Sequence, residues 1–240
     1  MFPIRDHNPS ERRPFVTYAL IAVNLVMFVL TMPWGLGMSD LWRSFAMYPV
    51  AIVNGEYLWT LVTHMFLHAG WLHIAGNMLF LWIFGDNMED QFGHFGFLVF
   101  YLLCGVAAAA AQIAANPYEM VPMVGASGAI AGVMGGYLLL FPKARVDVLV
   151  IIIIIFKVFT IPAWVMLGAW FMLQLFGGFA LFGSENVAYW AHAGGFVAGV
   201  VFALPVFMGL GGADFWRRTH GHPPHPEAQY ARSRIPNVRR

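Results

Sequence analysis

Ser127 is the residue of this sequence whose surroundings best suit a nucleophile. It stands in VGASGAIAGVMGGY, flanked by Gly125 and Gly128. A Gly-x-Ser-Gly turn that leads into a helix places the hydroxyl at the helix N-terminus. There, free backbone N–H groups and the positive end of the helix dipole can stabilise a developing oxyanion. A serine that caps a helix beside a packing motif is the structural alternative.

Small residues continue along the helix after Ser127 and return near the end of the chain. The two rows are Gly128, Gly132 and Gly136, and Ala191, Gly195 and Gly199. Small residues four apart let two helices approach backbone to backbone. His192 adjoins the second row, so this contact can bring its imidazole within hydrogen-bond distance of the serine hydroxyl. That pair is the minimum for nucleophilic catalysis; a histidine that only bonds across the helices is the alternative.

A histidine-rich stretch, WTLVTHMFLHAGWLHIAGNMLFLW, lies upstream of the serine. His73 and Asn77 are four residues apart and share a helix face, where imidazole N–H and amide NH₂ groups suit a developing oxyanion. His64 and His68 have the same spacing, so zinc or haem ligation by the histidines is a rival interpretation. A third interpretation, for His64 and His68 alone, is that they hold an irregular loop in place. Because the apolar stretches lack acids, we expect a Ser-His dyad without metal or cofactor.

The composition indicates that these residues lie in lipid. Of 240 residues, 60% are hydrophobic and only 10% are charged, whereas an average soluble domain has roughly 25% charged residues. This excludes ordinary soluble and disordered proteins. A net charge of +1 gives no field for nucleic acid, and the single Cys104 excludes an intrachain disulfide and a cysteine-rich metal site.

Charged residues divide the chain into six stretches long enough to cross a bilayer, which takes about 20 apolar residues each. The stretches are 14–39, 57–85, 91–118, 120–142, 158–184 and 186–213. They predict an all-α membrane protein of six transmembrane helices. A further apolar run at 148–156 is too short to span. We therefore expect the segment at about 146–160 to lie at the membrane interface or to re-enter the membrane. A transporter would be expected to carry intramembrane acids, which the stretches lack.

Arginines flank the first and last stretches, so both termini are expected in the cytoplasm and the protein in a cell (inner) membrane. The polar start, MFPIRDHNPSERRPF, does not resemble a cleaved signal peptide. We divide the chain into a cytoplasmic N-terminal segment (1–14), a six-span domain (15–210) and a flexible basic tail (211–240). The oligomeric state is left open.

Three motifs, HMFLHAGWLHIAGN, GASGAIAG and AHAGGFVAG, occur in this order on the second, fourth and sixth stretches. Their combination is similar to the rhomboid intramembrane serine proteases, and the resemblance covers roughly residues 15–210. It implies that Ser127 is the nucleophile and His192 the general base. It also implies that His73 and Asn77 donate to the oxyanion beside the Ser127 N–H. The motif glycines are Gly125, Gly128, Gly195 and Gly199.

The resemblance further implies hydrolysis of peptide bonds in or near transmembrane segments of membrane proteins, within the lipid bilayer. A catalytically inactive relative that binds client helices is the alternative. The sequence departs from the family at two places. Trp59-Thr60 replaces a Trp-Arg pair, and Ala131 stands where some relatives have an aromatic residue against the histidine. Tyr137 and Trp190 are then the candidates for orienting His192.

Overall fold

The computed structural model describes residues 2–32, 40–152, 155–179 and 187–224. The protein is mostly helical, with one small antiparallel sheet. In chain order the elements are β1 (Phe2–Asp6), α1 (Phe15–Thr31), α2 (Asp40–Phe45), α3 (Pro49–Val53), α4 (Thr60–Thr63), a short 3₁₀ helix (His64–Phe66), α5 (Trp71–Ala115), α6 (Ser127–Leu140), β2 (Arg145–Ile152), β3 (Ile155–Pro162), α7 (Ala163–Gly178), α8 (Tyr189–Gly209) and α9 (Ala213–Thr219).

Helix α5 is two helices joined at one residue. Gly93 has φ 69° and ψ 164°, a conformation that interrupts the helix and that glycine adopts without steric cost. Residues 71–85 of the first segment lie in the charge-free stretch 57–85, and the second segment, 94–115, lies in the stretch 91–118. Within the described part of the chain, α5 and α8 are long and apolar enough to cross a membrane, and α1, α6 and α7 are shorter apolar helices.

Helix α6 lies inside the bundle, and its residues 128–137 are all buried. Its glycines contact α8 directly: a Cβ added to Gly195 would overlap the carbonyl oxygen of Gly128, and one on Gly199 would overlap that of Gly132. The two small-residue rows thus meet backbone to backbone. Large side chains from α1, α5 and α6 fill the surrounding core, among them Phe28, Phe84, Phe97, Tyr101, Met134 and Tyr137.

Glu89 joins the first half of α5 to the start of α1. Its carboxylate accepts the backbone N–H groups of Val16 and Thr17, at 2.8 and 2.7 Å, and the Thr17 hydroxyl at 2.7 Å. The first N–H groups of a helix have no partner within it, and here a buried acid supplies one. Glu89 thus links the first half of α5 to the N-terminus of α1.

The apolar run after α6 forms strands. β2 and β3 pair antiparallel from Arg145–Pro162 to Ile152–Ile155, and β1 pairs with the other edge of β2. We expected an all-α protein, and the three strands show that this was wrong. That the segment at about 146–160 lies at the membrane interface or re-enters the membrane stays a prediction. A short apolar run is equally consistent with a buried helix and a strand, and the β-branched residues of VLVIIIIIF were the signal for a strand.

Both ends of the described chain contact the end of α6 and the segment that follows it. The His7 N–H donates to the Arg145 carbonyl and the Lys143 N–H to the Gly221 carbonyl, each at 2.8 Å. The Trp216 indole donates to the Leu139 carbonyl at 3.0 Å. β1 lies in the segment 1–14 and α9 in the segment 211–240, which we expected to be a flexible tail. Residues 225–240 of that tail lie outside the described residues.

Candidate active site

The structure brings Ser127 and His192 into direct contact. Ser127 is the first residue of α6, and Ala126 precedes it as the N-cap residue. His192 is on the first turn of α8. Their Oγ and Nε2 atoms are 2.8 Å apart. The serine hydroxyl therefore does not cap its own helix, which was the structural alternative. The glycine contacts between α6 and α8 set this distance, since they fix how closely the two helices approach.

The other nitrogen of the His192 ring contacts Gln174 of α7. Nδ1 lies 2.8 Å from Oε1 of Gln174, while Nε2 of the same amide donates to the Trp170 carbonyl at 3.3 Å. A carbonyl can only accept, so the Trp170 contact assigns the orientation of the amide. The amide oxygen also only accepts, so Nδ1 of His192 carries the proton. The lone pair of Nε2 is then available to the Ser127 hydroxyl.

Gln174 is a site residue that the sequence analysis missed. It is buried and is the single amide in the apolar sequence AWVMLGAWFMLQLFGG, and such a residue is costly in lipid unless it has a partner. The two candidates named for orienting His192 were wrong. Tyr137 bonds to Asp6 at the other end of α6, and Trp190 packs on Phe179. The aromatic ring beside His192 is that of Trp170, with centroids 5.8 Å apart.

His73 lines the same cavity as Ser127 and His192. Its Nδ1 accepts the Ala69 N–H at 3.4 Å, which leaves the proton on Nε2. Nε2 points at Gly125: a Cβ there would lie 2.7 Å from His73 Nε2 and 3.6 Å from Ser127 Oγ. Gly125 also has φ 123°, so both its conformation and the space around it require glycine. An N–H donor therefore faces the loop next to the serine.

Asn77 is on the same face of α5 as His73, one turn further along. Its side chain is buried, and Nδ2 donates to the His73 carbonyl at 3.0 Å. It is not among the residues that line the cavity around Ser127. One of its two N–H groups is thus used within the helix, and the other remains for a partner.

His64 and His68 lie in the segment before α5. His64 is buried, and its Nδ1 donates to the Thr60 carbonyl at 2.7 Å; its own carbonyl accepts the Gly125 N–H at 2.9 Å. The His68 ring is buried edge-on against His73, with centroids 5.1 Å apart. Within the described ranges, no three histidine, cysteine or acidic side chains are grouped as ligands for a metal ion. His64 thus fastens the loop that carries Gly125.

Trp59 and Thr63 supply polar anchoring in the same segment, where the family has an arginine that this chain lacks. The Trp59 indole donates to the Ser44 carbonyl at 3.2 Å, and the Thr63 hydroxyl donates to the Phe45 carbonyl at 2.9 Å. Both bonds tie the start of this loop to α2. The loop is therefore anchored to α2 by two side-chain hydrogen bonds, although it lacks the family's arginine.

The cavity has a volume of about 620 Å³, within the range of small-molecule sites. Gln112 connects two of its walls. Its amide oxygen accepts the Ala191 N–H at 3.3 Å, and its NH₂ donates to the Glu119 carboxylate at 3.2 Å. The loop after α5 is therefore fastened beside the start of α8, and Glu119 brings a carboxylate to the cavity wall. The sequence analysis singled out neither residue.

Residues 55–209 match the family model for the rhomboid domain. The chain belongs to the rhomboid family. It is 31% identical over 203 residues to rhomboid protease GluP of Bacillus subtilis, covering 84% of this chain and 36% of that protein. It is 30% identical over 196 residues to mitochondrial rhomboid protein 1 of Saccharomyces cerevisiae, with coverages of 78% and 52%. The putative rhomboid protease YdcA of B. subtilis is 32% identical over 126 residues, with coverages of 52% and 61%.

The chain thus spans between about a third and three fifths of the length of these curated relatives. Rhomboid proteins are membrane proteins, so the helical bundle is a membrane bundle, as the composition predicted. Family membership also supports intramembrane serine proteolysis as the general activity of the group. The region that matches the rhomboid domain contains His73, Asn77, Ser127, Gln174 and His192.

Proposed function

We propose that this chain is an intramembrane serine endopeptidase with Ser127 as nucleophile and His192 as general base. The observation that carries the proposal is the 2.8 Å contact between Ser127 Oγ and His192 Nε2 inside an open cavity. Nucleophile and base within hydrogen-bond distance, with the base held by a third group, are the signature of nucleophilic catalysis. Here the third group is the neutral amide of Gln174 in place of an acid.

In the proposed reaction, Ser127 Oγ attacks the carbonyl carbon of the scissile bond while His192 Nε2 takes the hydroxyl proton. The tetrahedral intermediate collapses, and His192 gives that proton to the leaving amine nitrogen. The product is an acyl ester on Ser127 and a free amino terminus. Water, deprotonated by His192, then attacks the ester carbonyl, and Ser127 recovers its proton as the acid product leaves.

The oxyanion of the intermediate is proposed to accept hydrogen bonds from the Ser127 backbone N–H and from Nε2 of His73. The N–H of Ser127 belongs to the first turn of α6, where the helix dipole favours negative charge. The His73 tautomer with a proton on Nε2 suits this role. Asn77 is proposed as a further donor through the second N–H of its Nδ2, the one that it does not donate to the His73 carbonyl.

The substrates are proposed to be membrane proteins cut in or near a transmembrane segment. Helix α6 has 14 residues and rises about 21 Å, less than the hydrocarbon core of about 30 Å. A helix that begins at Ser127 and ends with the bundle at Leu140 would start below one membrane surface. At that depth the backbone N–H and C=O groups of an irregular segment, such as the loop before Ser127, need hydrogen-bond partners from protein or water, and the cavity provides access to both.

We also propose that the protein lies in the inner membrane of the cell. It would cross this membrane six times, with both termini in the cytoplasm. The six helices are α1, the segments 71–92 and 94–115, α6, α7 and α8. The bonds from His7 to Arg145 and from Lys143 to Gly221 support an even number of crossings, because they join both ends of the described chain to the segment between α6 and α7. Arginines on these segments support the cytoplasmic side.

A labelled fluorophosphonate probe tests the proposed activity in detergent. We expect the full chain to be labelled and to cut a reporter transmembrane substrate, and Ser127→Ala and His192→Ala to lose both. Ser44→Ala is the matched control, since Ser44 is exposed and its hydroxyl donates to the Asp40 carbonyl of α2. If wild type is neither labelled nor active while its thermal unfolding is cooperative, the alternative of an inactive, client-binding relative replaces this proposal.

A reporter fusion tests the proposed orientation separately. A reporter that is active only outside the cytoplasm, fused after Arg240, should give no signal. A second fusion in the loop before Ser127 should give a strong one. A strong signal from the first fusion would refute the even number of crossings.

A further inference from the structure

A second cavity lies at the end of the bundle opposite Ser127. It has a volume of about 760 Å³, and its walls include His7, Arg145, Arg218, His220 and His222. A neighbouring cavity of about 520 Å³ shares Arg145 and His222 with it and adds Lys143 and Thr160. Three separate parts of the chain therefore direct basic side chains toward one region.

Hydrogen bonds fix the segments that form this region. The Lys143 N–H donates to the Gly221 carbonyl, and the His7 N–H donates to the Arg145 carbonyl. Arg218 donates to the Leu210 carbonyl at 2.9 Å, which holds α9 against the end of α8. The cavity walls are thus connected to the strands and to the end of α8 rather than being a loose terminal segment.

The charge of the cavity is not neutralised from within. The acids near the cavity have partners of their own. Asp147 contacts Arg5 at 3.1 Å, His7 at 2.9 Å and the Thr160 hydroxyl at 2.5 Å. Asp214 pairs with Arg217, and Asp6 accepts the Tyr137 hydroxyl. Across residues 2–32, 40–152, 155–179 and 187–224, no carboxylate forms an ion pair with Lys143, Arg145 or Arg218. Among the described residues, these three cations are therefore available to an anion from outside.

The position of the cavities favours a lipid as the source of that anion. They open where α6 and α8 end and where α7 begins, so they lie at the level where a membrane bundle meets water. Leu210 and Phe215 line the first cavity and Trp164 the second, and Trp164 and Trp216 are exposed there. Exposed tryptophans are typical of the membrane–water interface, and basic clusters just outside transmembrane helices attract anionic lipids.

We propose that these joined cavities bind the phosphate of an anionic phospholipid headgroup through Lys143, Arg145 and Arg218. The guanidinium groups can each give two parallel N–H bonds to phosphate oxygens, while Lys143 adds a point charge. The apolar side chains beside them would contact the glycerol and the first carbons of the acyl chains. The site would bind a lipid of the leaflet on the side opposite Ser127.

The experiment compares lipid retention by two double variants with equal loss of charge. Arg145→Gln with Arg218→Gln removes two cations of the site. Lys157→Gln with Arg217→Gln is the control, since these residues lie on β3 and α9 but line neither cavity. The full chain is placed in bilayer discs of phosphatidylcholine with phosphatidylglycerol or of phosphatidylcholine alone. Phosphatidylglycerol that remains bound after transfer to detergent is counted by mass spectrometry.

We expect wild type and the control pair to retain phosphatidylglycerol, and the site pair to bind it about thirtyfold more weakly, as removal of two cations near a membrane predicts. Equal losses in both pairs would overturn the proposal in favour of general attraction to the surface. The melting temperatures of both variants in phosphatidylcholine discs show whether each is folded. If the site pair does not fold, Lys143→Gln against Lys157→Gln repeats the comparison at one charge each.

A measurement with free phosphate distinguishes a lipid headgroup from a soluble phosphate as the source of the anion. Inorganic phosphate and glycerol 3-phosphate are added to the protein in detergent, and the melting temperature is recorded. A site for a lipid headgroup predicts little stabilisation by either, because the apolar contacts are missing. A large stabilisation that the site pair abolishes would assign the site to a soluble phosphate and refute the lipid. Neither arm uses proteolysis, so the result is independent of the proposed activity.

Discussion

The amide oxygen of Gln174 lies 2.8 Å from Nδ1 of His192, and this contact determines which nitrogen of the imidazole carries the proton. In a serine hydrolase with an acid in the triad, a carboxylate holds the same nitrogen. Here a neutral amide, itself fixed by the Trp170 carbonyl, selects the same tautomer without adding a charge to a membrane bundle. An amide at this position avoids the free-energy cost of burying a carboxylate in lipid.

Replacement of Gln174 by leucine should lower the rate of substrate cleavage by about tenfold to a hundredfold, a part of the 10²–10⁴ that a positioned general base contributes. Without the acceptor, His192 can place its proton on Nε2, where it no longer accepts from Ser127. The measurements are kcat, KM and fluorophosphonate labelling. Gln174→Glu keeps an acceptor and should retain more activity than leucine. Equal losses in both variants, with equal falls in melting temperature, would contradict the positioning role.

His73→Ala should slow turnover by about 10²–10³, the usual loss on removing one oxyanion donor. Asn77→Ala should slow it less, by about tenfold, because its Nδ2 already donates to the His73 carbonyl one turn away from the cavity. The measurement is kcat on a reporter transmembrane substrate, with melting temperatures recorded in parallel. A larger effect at Asn77 than at His73 would reverse the assignment of the main donor.

Gly195→Ala should separate α6 from α8, since the new Cβ would overlap the Gly128 carbonyl oxygen. A wider spacing breaks the contact between Ser127 and His192, so both the melting temperature and the labelling rate should fall. Gly168→Ala is the matched control on α7, where nothing lies within 4 Å of the added Cβ. Alanine there should leave stability unchanged or raise it slightly. Similar losses in the two variants would contradict the close backbone contact.

The stability of the sheet formed by β1, β2 and β3 should depend on pH through Asp6. Burial raises the pKa of the Asp6 carboxyl from 3.8 to about 8, against the opposing effect of its bond to Tyr137, and the charge of Asp86 raises it further. Between these two values the folded chain holds a proton that the unfolded chain has lost. The free energy of unfolding therefore falls as pH rises through this range and changes little with pH outside it.

Asp6→Asn removes this titration while keeping an oxygen to accept from the Tyr137 hydroxyl, which donates to Asp6 at 2.7 Å. We expect the variant to gain melting temperature relative to wild type as pH increases from 5 to about 8. Thermal unfolding of both proteins across that range gives the comparison. A difference in melting temperature that stays constant with pH would show that Asp6 does not titrate there.

Activity should survive a strong chelator. The proposed dyad needs no metal, and Nδ1 of His64 is already bonded to the Thr60 carbonyl. Cleavage is measured after incubation with the chelator and again after addition of zinc. Loss of activity that zinc restores would replace the serine mechanism with a metal-dependent one.

The sequence by itself determined the features that lie within one helix or one short motif. His73 and Asn77 share a face because the helical repeat fixes the relation of residues four apart. The two small-residue rows predicted that a helix with Ser127 would meet a helix with His192, because glycine is the residue that lets backbones approach. The low charge and long apolar stretches determined the membrane environment.

Only the tertiary structure decided the relations between elements far apart in sequence. Gln174 faces His192 because of how α7 is rotated against α8, and that rotation depends on packing rather than on any local period. The same is true of Tyr137, which lies ten residues after Ser127 and therefore about 15 Å along α6, too far to touch His192. The pairing of β1 with β2 joins residues 2–6 to residues 146–149, and no local pattern of the sequence connects two segments so far apart.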